Sequence, residues 1–564
     1  MLDSETVETV SSAPDNSAKN NLAARIGWTI LILATLYVCY FSHLGAIGFV
    51  GPDEPRYAWI ARDMAETGDW VTPRLYGKPW FEKPPLLYWG AALCFKLFGV
   101  SEAAARLPSA VSALLATLAL AWLAFRVYGA ETARWLLLLL PTTAGMIGFS
   151  HAAATDMPFS AMLTIAMVCA AVVLGLTRNE KSPVLPQTPW LALVLFGFFL
   201  GLAVLAKGPA GIILVGGAVF FWALFTKRWR DAFRLFHPAA LASFFAMALP
   251  WYILCARRNP DFFRIFIVEH NFKRYLTPEF QHIQPIWYYG PMLLIGLAPW
   301  TPMFWSVVKD LAREWNDRSD FIKIYLYCWA AFTVIFFSVS RSKLPGYILP
   351  AVPPLALSLS RSISLRIRGI LPGKKWIGIA GSAAIVGMTV AIDRLPFAID
   401  YFPPGPLFLV NLVDYVAAIA AMVMALRRRV ASALFLSVIS IIFTLAVGLT
   451  GDTKWSLDLG ISARWASKVP EGVTPDYWAS HTATYKLRRS FLHGLNFYAH
   501  REVPEWNGNK AERNWVFTTP KEMTELGGMG LQCPHFMAFP PVIVCEAGGS
   551  AGGLPRSGQL QQEK

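Results

Sequence analysis

Residues 51–89 read GPDEPRYAWIARDMAETGDWVTPRLYGKPWFEKPPLLYW, a polar and aromatic stretch that separates two long apolar runs. An apolar run of about 20 residues can cross the hydrocarbon core of a bilayer as a helix. The stretch is therefore predicted to belong to a long loop, 49–103, on one side of a membrane. Long structured loops in compact proteins tend to be functional.

The whole chain has the composition of a membrane protein. Its 564 residues have a mean hydropathy of +0.43, and 55% are apolar while only 15% are charged. This composition excludes a soluble protein of this size and predicts a polytopic α-helical membrane protein. We expect about 13 transmembrane helices, at 26–48, 104–125, 135–151, 157–177, 190–206, 209–226, 237–256, 287–306, 322–340, 345–360, 376–392, 406–426 and 431–450.

Basic residues in the short loops predict the orientation, because cytoplasmic loops carry the excess of Lys and Arg. With a cytoplasmic N-terminus every cytoplasmic loop is basic, and the segment after residue 450 lies outside. The net charge of +14 is then mostly a topology signal, and a nucleic-acid partner is not expected. The loop residues are Arg126, Arg134, Arg178, Lys181, Lys227, Arg228, Arg230, Arg234, Lys309, Arg313, Arg318, Arg361, Arg366, Arg368, Lys374, Lys375, Arg427, Arg428 and Arg429.

Three regions follow from this pattern. Residues 1–25 are predicted to be a disordered cytoplasmic tail, and residues 26–450 a transmembrane domain with outer loops at 49–103 and 257–286. Residues 451–564 mix β-type runs, such as 495–499 and 542–545, with a charged helical piece at 521–526. They predict a small extracytoplasmic α/β domain with a flexible Gly/Ser-rich tail.

The cysteines divide into two groups. Five lie in apolar helices, where we expect them to be packing residues: Cys39, Cys94, Cys169, Cys255 and Cys328. Cys533 and Cys545 lie in the outer region, where a disulfide between them and two free thiols both remain open.

The first outer loop opens with a predicted amphipathic helix on the membrane surface. Its apolar residues recur at helical spacing, at Tyr57, Ile60, Ala61, Met64 and Ala65. Asp53 and Glu54 precede them, and Asp53 is either a functional carboxylate or simply the N-cap of this helix.

The same loop continues with Glu82 and Lys83, which are either functional or a solvated pair at a helix start. The aromatic residues around them are interpreted as interfacial anchors: Trp70, Trp80, Tyr88 and Trp89.

The second outer loop, 257–286, carries five basic residues on the side of the membrane where basic loops are disfavoured. A phosphate ligand explains them, since guanidinium and ammonium groups bind phosphate oxygens well. His270 and Arg274 share one helical face. A lone His is more often structural, but beside Glu82 and Asp156 it suggests a divalent metal such as zinc.

Three short outer breaks carry further charged or polar groups. Asp156 in ATDMPF is either a functional residue or the N-cap of a helix. Lys207 in LAKGPAG is either functional or a lysine whose ammonium group reaches from the helix end to the membrane interface. SKLPGY, with Lys343 and Tyr347, is either part of a site or only a helix boundary. All these breaks lie on the outer side. We therefore predict that six side chains converge on one outward-facing cavity: Asp53, Glu82, Lys83, His270, Arg274 and Tyr347.

The ordered motifs resemble a known family. GPDEPRYA, GDWVTPRLYGKPWFEKPPLLYW, ATDMPF, LAKGPAG, EHNFKRY, HIQPIWYY and SKLPGYILP are similar to those of the polyprenyl-phosphate-sugar glycosyltransferases of the GT-C fold. The similarity is closest to the bacterial lipid A aminoarabinose transferase group and more distant to protein O-mannosyltransferases. It covers roughly residues 26–360. The usual DExRY stretch has Pro55 at its variable position, a mild departure.

The resemblance implies a function. A multi-pass enzyme of the bacterial inner membrane, expected to be a monomer, would transfer 4-amino-4-deoxy-L-arabinose or a related sugar from undecaprenyl phosphate to lipid A or lipopolysaccharide. The transfer would occur on the periplasmic face with inversion. Asp53 matches the catalytic carboxylate. The donor phosphate would be bound by Lys83, Arg274 and Tyr347, with Arg56, Tyr57 and Lys207 behind them.

Further roles are implied for the remaining residues. Glu54, Asp156 and Lys343 would belong to the site, and Glu82 and His270 would hold the metal, whose requirement stays open. Two alternatives remain. One is the same enzyme type with mannose or galacturonic acid, or with a protein or glycan acceptor. The other is a transporter of lipid-linked sugars, although transporters place their polar sites nearer the bilayer midplane.

Overall fold

A computed structural model of the chain describes residues 16–46, 48–177, 189–266, 269, 284–314, 320–394, 404–448, 474–508, 515–519, 521–531 and 543–546. His270 and Arg274 lie outside these residues.

The N-terminal half of the described chain is helical apart from one small hairpin. Its helices are α1 (Asn16–Tyr40), α2 (Asp53–Thr67), α3 (Leu86–Phe98), α4 (Glu102–Tyr128), α5 (Ala130–Leu139), α6 (Ala144–Ser150), α7 (Asp156–Val173), α8 (Trp190–Lys207), α9 (Ala210–Thr226), α10 (Trp229–Phe233) and α11 (Pro238–Arg258). The antiparallel hairpin pairs β1 (Arg74–Leu75) with β2 (Lys78–Pro79).

The C-terminal half continues the helical bundle and adds a small sheet. Its helices are α12 (Tyr289–Gly296), α13 (Phe304–Arg313), α14 (Phe321–Val339), α15 (Val352–Ile367), α16 (Lys374–Arg394), α17 (Pro404–Leu426), α18 (Val430–Gly448), α19 (Pro475–Ser480), α20 (Arg489–Ala499) and α21 (Met523–Gly528). The strands are β3 (Thr482–Thr484), β4 (Trp515–Thr518) and β5 (Ile543–Glu546). Short 3-10 segments lie at Arg234–Phe236, Ile286–Tyr288, Thr301–Met303 and Pro345–Ala351.

The predicted polytopic helical architecture is confirmed. Among the described residues, nine helices are long and apolar enough to cross a membrane, or up to 11 if each of two bent pairs is one crossing. A helix or a bent pair lies at each predicted span, but α9 has only 17 residues. The number of 13 crossings therefore stays a prediction. The first helix begins at Asn16, inside the predicted disordered tail, and ends at Tyr40.

Helix α7 lies at the centre of the bundle, where nearly every residue is buried. It packs against α4, α8 and the 3-10 segment Pro345–Ala351. The packing places the first residue of α7, Asp156, beside the SKLPGY motif.

Helix α2 confirms the predicted helix in the loop 49–103, but its predicted position on the membrane surface is wrong, because its apolar face packs against other parts of the protein. Tyr57, Ile60, Ala61 and Met64 are buried on one face, and the helix ends at Gly68 in the left-handed conformation, where a glycine carries no steric penalty. Asp53 is the first residue of α2 and does not cap it, because the N-cap position is Pro52 and no side chain caps the helix.

A buried ion pair holds the start of α2 against the bundle. Arg106 of α4 donates from Nε and Nη2 to the two carboxylate oxygens of Glu54, at 3.0 and 2.8 Å. The same oxygens accept from the backbone N–H groups of Val50 and Ala153, both at 2.6 Å. Arg106 also donates to the carbonyl oxygens of Leu44 and Gly48, each at 2.8 Å. Glu54 thus joins α2, α4 and the chain segment that leads into α7.

The described residues after 450 contain the predicted α/β elements with one correction. Strand β4 pairs parallel with β3 and antiparallel with β5. The strand at 542–545 and the helix at 521–526 are confirmed approximately by β5 and α21. The β-type run 495–499 was wrong, because it is the last part of α20. The apolar residues of this run share a buried helical face with residues one turn earlier, such as Phe491.

The cysteines agree with their interpretation as packing residues. Cys39, Cys169, Cys255 and Cys328 are free and buried, and Cys94 is free and partly buried. Cys545 is disulfide-bonded, while Cys533 lies outside the described residues.

We predict that Arg106→Met strongly destabilises the fold. The substitution would leave the Glu54 carboxylate buried without its cation, which typically costs about 3–5 kcal/mol. Arg234→Met is the control, because Arg234 is 53% exposed and pairs with one carboxylate, so its loss costs about 0–1 kcal/mol. Thermal unfolding of the purified proteins in detergent would show a large fall in Tm for Arg106→Met only. Equal Tm values for the two variants would contradict the structural role of the pair.

Candidate active site

The first cluster of predicted site residues surrounds the Arg56 guanidinium. Arg56 Nη2 donates to Asp53 Oδ1 at 2.6 Å and lies 2.9 Å from Glu82 Oε2. The side chains of Arg56 and Glu82 are about nine-tenths buried, whereas that of Asp53 is 50% exposed. The same guanidinium nitrogen of Arg56 therefore contacts one accessible carboxylate and one buried carboxylate.

Aromatic side chains enclose this cluster. The Arg56 guanidinium lies 5.3 Å from the ring centre of Tyr57 and 5.4 Å from that of Trp80, and the rings of Tyr57 and Tyr88 are 5.8 Å apart. Burial, with the neighbouring Glu82 and Asp53 charges, raises the pKa of Tyr57 well above its ordinary value, so this phenol stays neutral. Tyr88 is fully buried, which makes its interpretation as an interfacial anchor wrong.

Three buried donors in this cluster have no hydrogen-bond partner among the described residues: Arg56 Nε, Trp80 Nε1 and Tyr88 Oη. A buried donor without an acceptor costs about 1–3 kcal/mol. Such groups are uncommon in a stable core. Other buried donors elsewhere in the described chain also lack a partner, such as Trp135 Nε1 and Trp329 Nε1, so these three donors are available to a ligand but do not by themselves identify a functional site.

The second cluster lies at the start of α7 and the end of α8. Lys207 Nζ donates to Asp156 Oδ1 at 2.5 Å and lies 4.2 Å from the ring centre of Tyr347. Gly346 makes this arrangement possible, since a Cβ atom there would collide with the Asp156 carboxylate and lie 2.8 Å from Phe149 Cε1. Asp156 is the first residue of α7 and does not cap it, because the N-cap position is Thr155.

The two clusters are linked through Glu54. Ala153, whose N–H donates to Glu54, precedes Asp156 by three residues, and Glu54 follows Asp53 directly. Asp53 and Asp156 are therefore carried by segments fixed to the same buried carboxylate.

Lys343 has a structural position beside the second cluster. Its ammonium donates to the carbonyl oxygens of Ser340, at 2.5 Å, and Gln284, at 3.1 Å. Burial, together with the nearby Arg341, lowers the pKa of Lys343. Lys343 thus stabilises the turn before Tyr347. The Glu54 carboxylate also has structural partners, since it accepts hydrogen bonds from Arg106 and from backbone N–H groups.

The predicted convergence is tested only in part. Asp53 and Glu82 meet at Arg56, and Lys83, which follows Glu82 in the chain, is partly buried. Tyr347 lies in the second cluster with Lys207. His270 and Arg274 lie outside the described residues, so their place in the site stays a prediction.

The metal site also stays a prediction. Within the part of the chain that the structure describes, no group of three or more His, Cys, Asp or Glu residues is arranged to hold a metal ion. Glu82 has one oxygen beside Arg56, and its predicted partner His270 is not described.

Sequence reasoning missed one residue near the first cluster, His493 of α20. Its Nδ1 lies 2.7 Å from the hydroxyl of Tyr76, and its charge state is coupled to Arg56 and Glu82. Burial, with Arg56 and Arg489 nearby, lowers the pKa of His493 to about 4. No local motif could reveal a contact over more than 400 residues of sequence.

Comparison of the sequence with known proteins assigns the chain to a family. The family model for dolichyl-phosphate-mannose-protein mannosyltransferase matches residues 20–266. A relative from Pseudomonas aeruginosa, named undecaprenyl phosphate-alpha-4-amino-4-deoxy-L-arabinose arabinosyl transferase, is 30% identical over 70% of each chain. A relative of the same name from Enterobacter sp. is 32% identical over 69% of this chain and 67% of its own length.

The chain belongs to this arabinosyl transferase family. The resemblance seen in the motifs is therefore confirmed. A further family member, from Erwinia tasmaniensis, is 32% identical, and this chain spans 62% of its length.

The arabinosyl transferase family also has a solved member with the same fold. The crystal structure of ArnT from Cupriavidus metallidurans bound to undecaprenyl phosphate matches with a TM-score of 0.74 and 23% identity, over 93% of this chain and 99% of that one. The match confirms the GT-C-type membrane fold.

We predict that Gly346→Ala disrupts the second cluster. The added methyl group would displace the Asp156 carboxylate from Lys207, and overpacking of this kind costs about 1–3 kcal/mol. Gly148→Ala is the control, since a Cβ atom at that helical position meets nothing within 4 Å. Thermal unfolding should separate the two variants, and an unchanged Tm for Gly346→Ala would show that the close approach is not required.

The low pKa of His493 predicts a pH dependence. Between the ordinary pKa of 6.5 and the folded value of about 4, the unfolded chain binds a proton that the folded chain does not, so stability falls as the pH falls through this window. The charges near the ring are Arg56, Arg489 and Glu82. His493→Phe should lose less stability than the wild type when the pH is lowered through the same window, measured by thermal unfolding. Identical pH slopes would contradict a buried neutral His493.

Proposed function

We propose that this protein is an inverting glycosyltransferase that moves 4-amino-4-deoxy-L-arabinose from undecaprenyl phosphate to lipid A. The observation that carries the proposal is the Asp53–Arg56–Glu82 cluster, in which one carboxylate is accessible and oriented by a buried cation. The names of the relatives support the sugar and its lipid carrier, and so does the fold shared with a protein bound to undecaprenyl phosphate.

Asp53 is the proposed catalytic residue. Arg56 holds its carboxylate at 2.6 Å, so the group keeps one orientation while half of the side chain stays accessible to an acceptor. If the acceptor is a phosphate of lipid A, which is already ionised, Asp53 chiefly orients it. If the acceptor is a hydroxyl, Asp53 is the general base that removes its proton.

The leaving undecaprenyl phosphate gains negative charge as the sugar departs. Cations and hydroxyl donors placed in advance around this phosphate lower the barrier. Tyr347 is a suitable donor, because the ammonium of Lys207 lies against its ring and the pair is fixed by Asp156. The other proposed phosphate ligands are Lys83, Arg274, Arg56 and Tyr57.

A divalent metal held by Glu82 and His270 remains part of the proposal. A metal at this point would add positive charge beside the sugar phosphate. The Glu82 carboxylate fits such a ligand only in part, because Arg56 already lies 2.9 Å from one of its oxygens. No step above depends on the metal.

The proposed location is the bacterial inner membrane, with the N-terminus in the cytoplasm and both the site and residues 451–564 in the periplasm. The support is the run of basic residues in the short loops on the other side. Asp53, Glu82, Asp156 and Tyr347 all lie in the segments assigned to the outer side. We propose that the protein acts as a monomer.

A second candidate function is mannosyl transfer to protein. The match of residues 20–266 to the mannosyltransferase family model favours it. The experiment below separates the two candidates by the mass and the acceptor of the product.

We predict that Asp53→Asn abolishes the sugar transfer that the wild type supports. Losing a residue that orients or deprotonates the acceptor should cost about 10²–10⁴-fold in rate. The measurement is mass spectrometry of lipid A and core from cells that lack their own transferase and express each variant. Asp63→Asn, on the same helix α2, is the matched control and should keep the product.

The product mass identifies the sugar. An aminoarabinose mass on lipid A with wild type and Asp63→Asn only is the expected result. A hexose on protein would support the second candidate, and equal product from Asp53→Asn would overturn the catalytic role of Asp53.

A further inference from the structure

Helix α20 of the outer region is fixed firmly to the first outer loop. Arg62 of α2 donates to the Phe497 carbonyl oxygen at 2.9 Å, and the two rings beside its guanidinium are Trp59 and Phe497. The Tyr498 hydroxyl donates to Glu102 Oε1 at 2.9 Å and accepts from the Phe49 N–H at 3.2 Å. These contacts join residues more than 390 positions apart in sequence.

His493 lies one helical turn before Phe497, on the face of α20 that is docked. Its partner is Tyr76, at the tip of the β1–β2 hairpin. Tyr76 and Gly77 both have positive φ, at 52° and 74°, as a tight two-residue hairpin turn requires. A left-handed conformation is unfavourable for tyrosine, so contacts of its side chain must compensate. Those contacts include the Trp59 ring, at 4.9 Å, the His493 ring and the Asn496 side chain.

The hairpin leads directly into the first cluster of the site. The Trp80 N–H donates to the Pro73 carbonyl oxygen at 2.8 Å, which closes the hairpin. The Trp80 ring then lies beside the Arg56 guanidinium, and Glu82 follows two residues later to pair with Arg56. The position of the hairpin tip therefore affects the position of Glu82 and, through Arg56, that of Asp53.

We propose that His493 is a positioning residue of the site. Its Nδ1 accepts a hydrogen bond from the Tyr76 hydroxyl, and this bond holds the hairpin in place. The held hairpin in turn positions Trp80 and Glu82, which fix Arg56. The inference deepens the proposed function and rests on it for its kinetic test. It gives the outer region a defined part in the reaction, since α20 would complete the support of the catalytic carboxylate from outside the membrane domain.

A neutral His493 suits this role. The two cations near its ring, Arg56 and Arg489, oppose a positive charge, whereas Glu82 favours one. A neutral imidazole with its proton on Nε2 offers Nδ1 as the acceptor that the tyrosine hydroxyl needs.

The test uses the full-length protein in lipid nanodiscs with four single variants and the double variant Tyr76→Phe/His493→Phe. Tyr76→Phe and His493→Phe each remove one partner of the hydrogen bond, and His493→Asn keeps an acceptor close to the position of Nδ1. Tyr485→Phe is the matched control, because it removes a hydroxyl that donates to Glu525 at 2.9 Å elsewhere in the outer region.

We expect Tyr76→Phe and His493→Phe each to lower kcat about tenfold, the size expected for one lost hydrogen bond, with little change in the KM for the lipid donor. The double variant should be no worse than either single variant, since both remove the same bond. His493→Asn should recover most of the rate, and Tyr485→Phe should match the wild type. A merely structural role would not be rescued by Asn.

A second measurement does not depend on activity. Hydrogen–deuterium exchange of the peptide that covers residues 70–85 should rise about tenfold in Tyr76→Phe and His493→Phe and stay unchanged in Tyr485→Phe. If the wild type transfers no sugar, the proposed function fails while the exchange result still decides the hairpin contact. Additive losses in the double variant, or unchanged exchange in both single variants, would overturn the inference.

Discussion

The buried Glu54–Arg106 ion pair is the constraint on which the geometry of the site depends. A buried carboxylate must be fully paired, and Glu54 satisfies this requirement with a guanidinium and with backbone N–H groups of Val50 and Ala153. Its partners belong to α4 and to the segment that leads into α7. Asp53 is the neighbour of Glu54 in the chain but faces outward, so one buried residue fixes the accessible one.

Two clusters, each with a cation and at least one carboxylate, follow from this constraint. In the first, Arg56 lies between Asp53 and Glu82, and in the second, Lys207 lies between Asp156 and the Tyr347 ring. A reaction that transfers a sugar from a phosphate needs an oriented carboxylate at the acceptor and positive charge at the leaving group. We propose that the first cluster supplies the oriented carboxylate and that both clusters supply groups that bind the leaving phosphate. The C-terminal part of the chain adds α20, which contacts α2 and the β1–β2 hairpin that leads into the first cluster.

Much of the fold could be predicted because its signals are local. Apolar runs and helical spacing identified the helices of the bundle and α2. Site residues such as Asp53 and Tyr347 could be proposed because they lie in breaks between apolar runs on one predicted side and within motifs of a known family. Other features depend on contacts between distant segments. Arg106 is a single charged residue in an apolar helix, and His493 lies more than 400 residues from Tyr76. The error at 495–499 has a local cause, because five residues are too few to show the helical spacing that includes Phe491.

The most direct test of this account is a structure of the protein with undecaprenyl phosphate bound. The central claim is that the Arg56 cluster and the Lys207 cluster flank one site. We predict that the phosphate lies between them, within hydrogen-bonding distance of the Tyr347 hydroxyl, with Asp53 facing the same space. A phosphate bound away from both clusters would contradict the account.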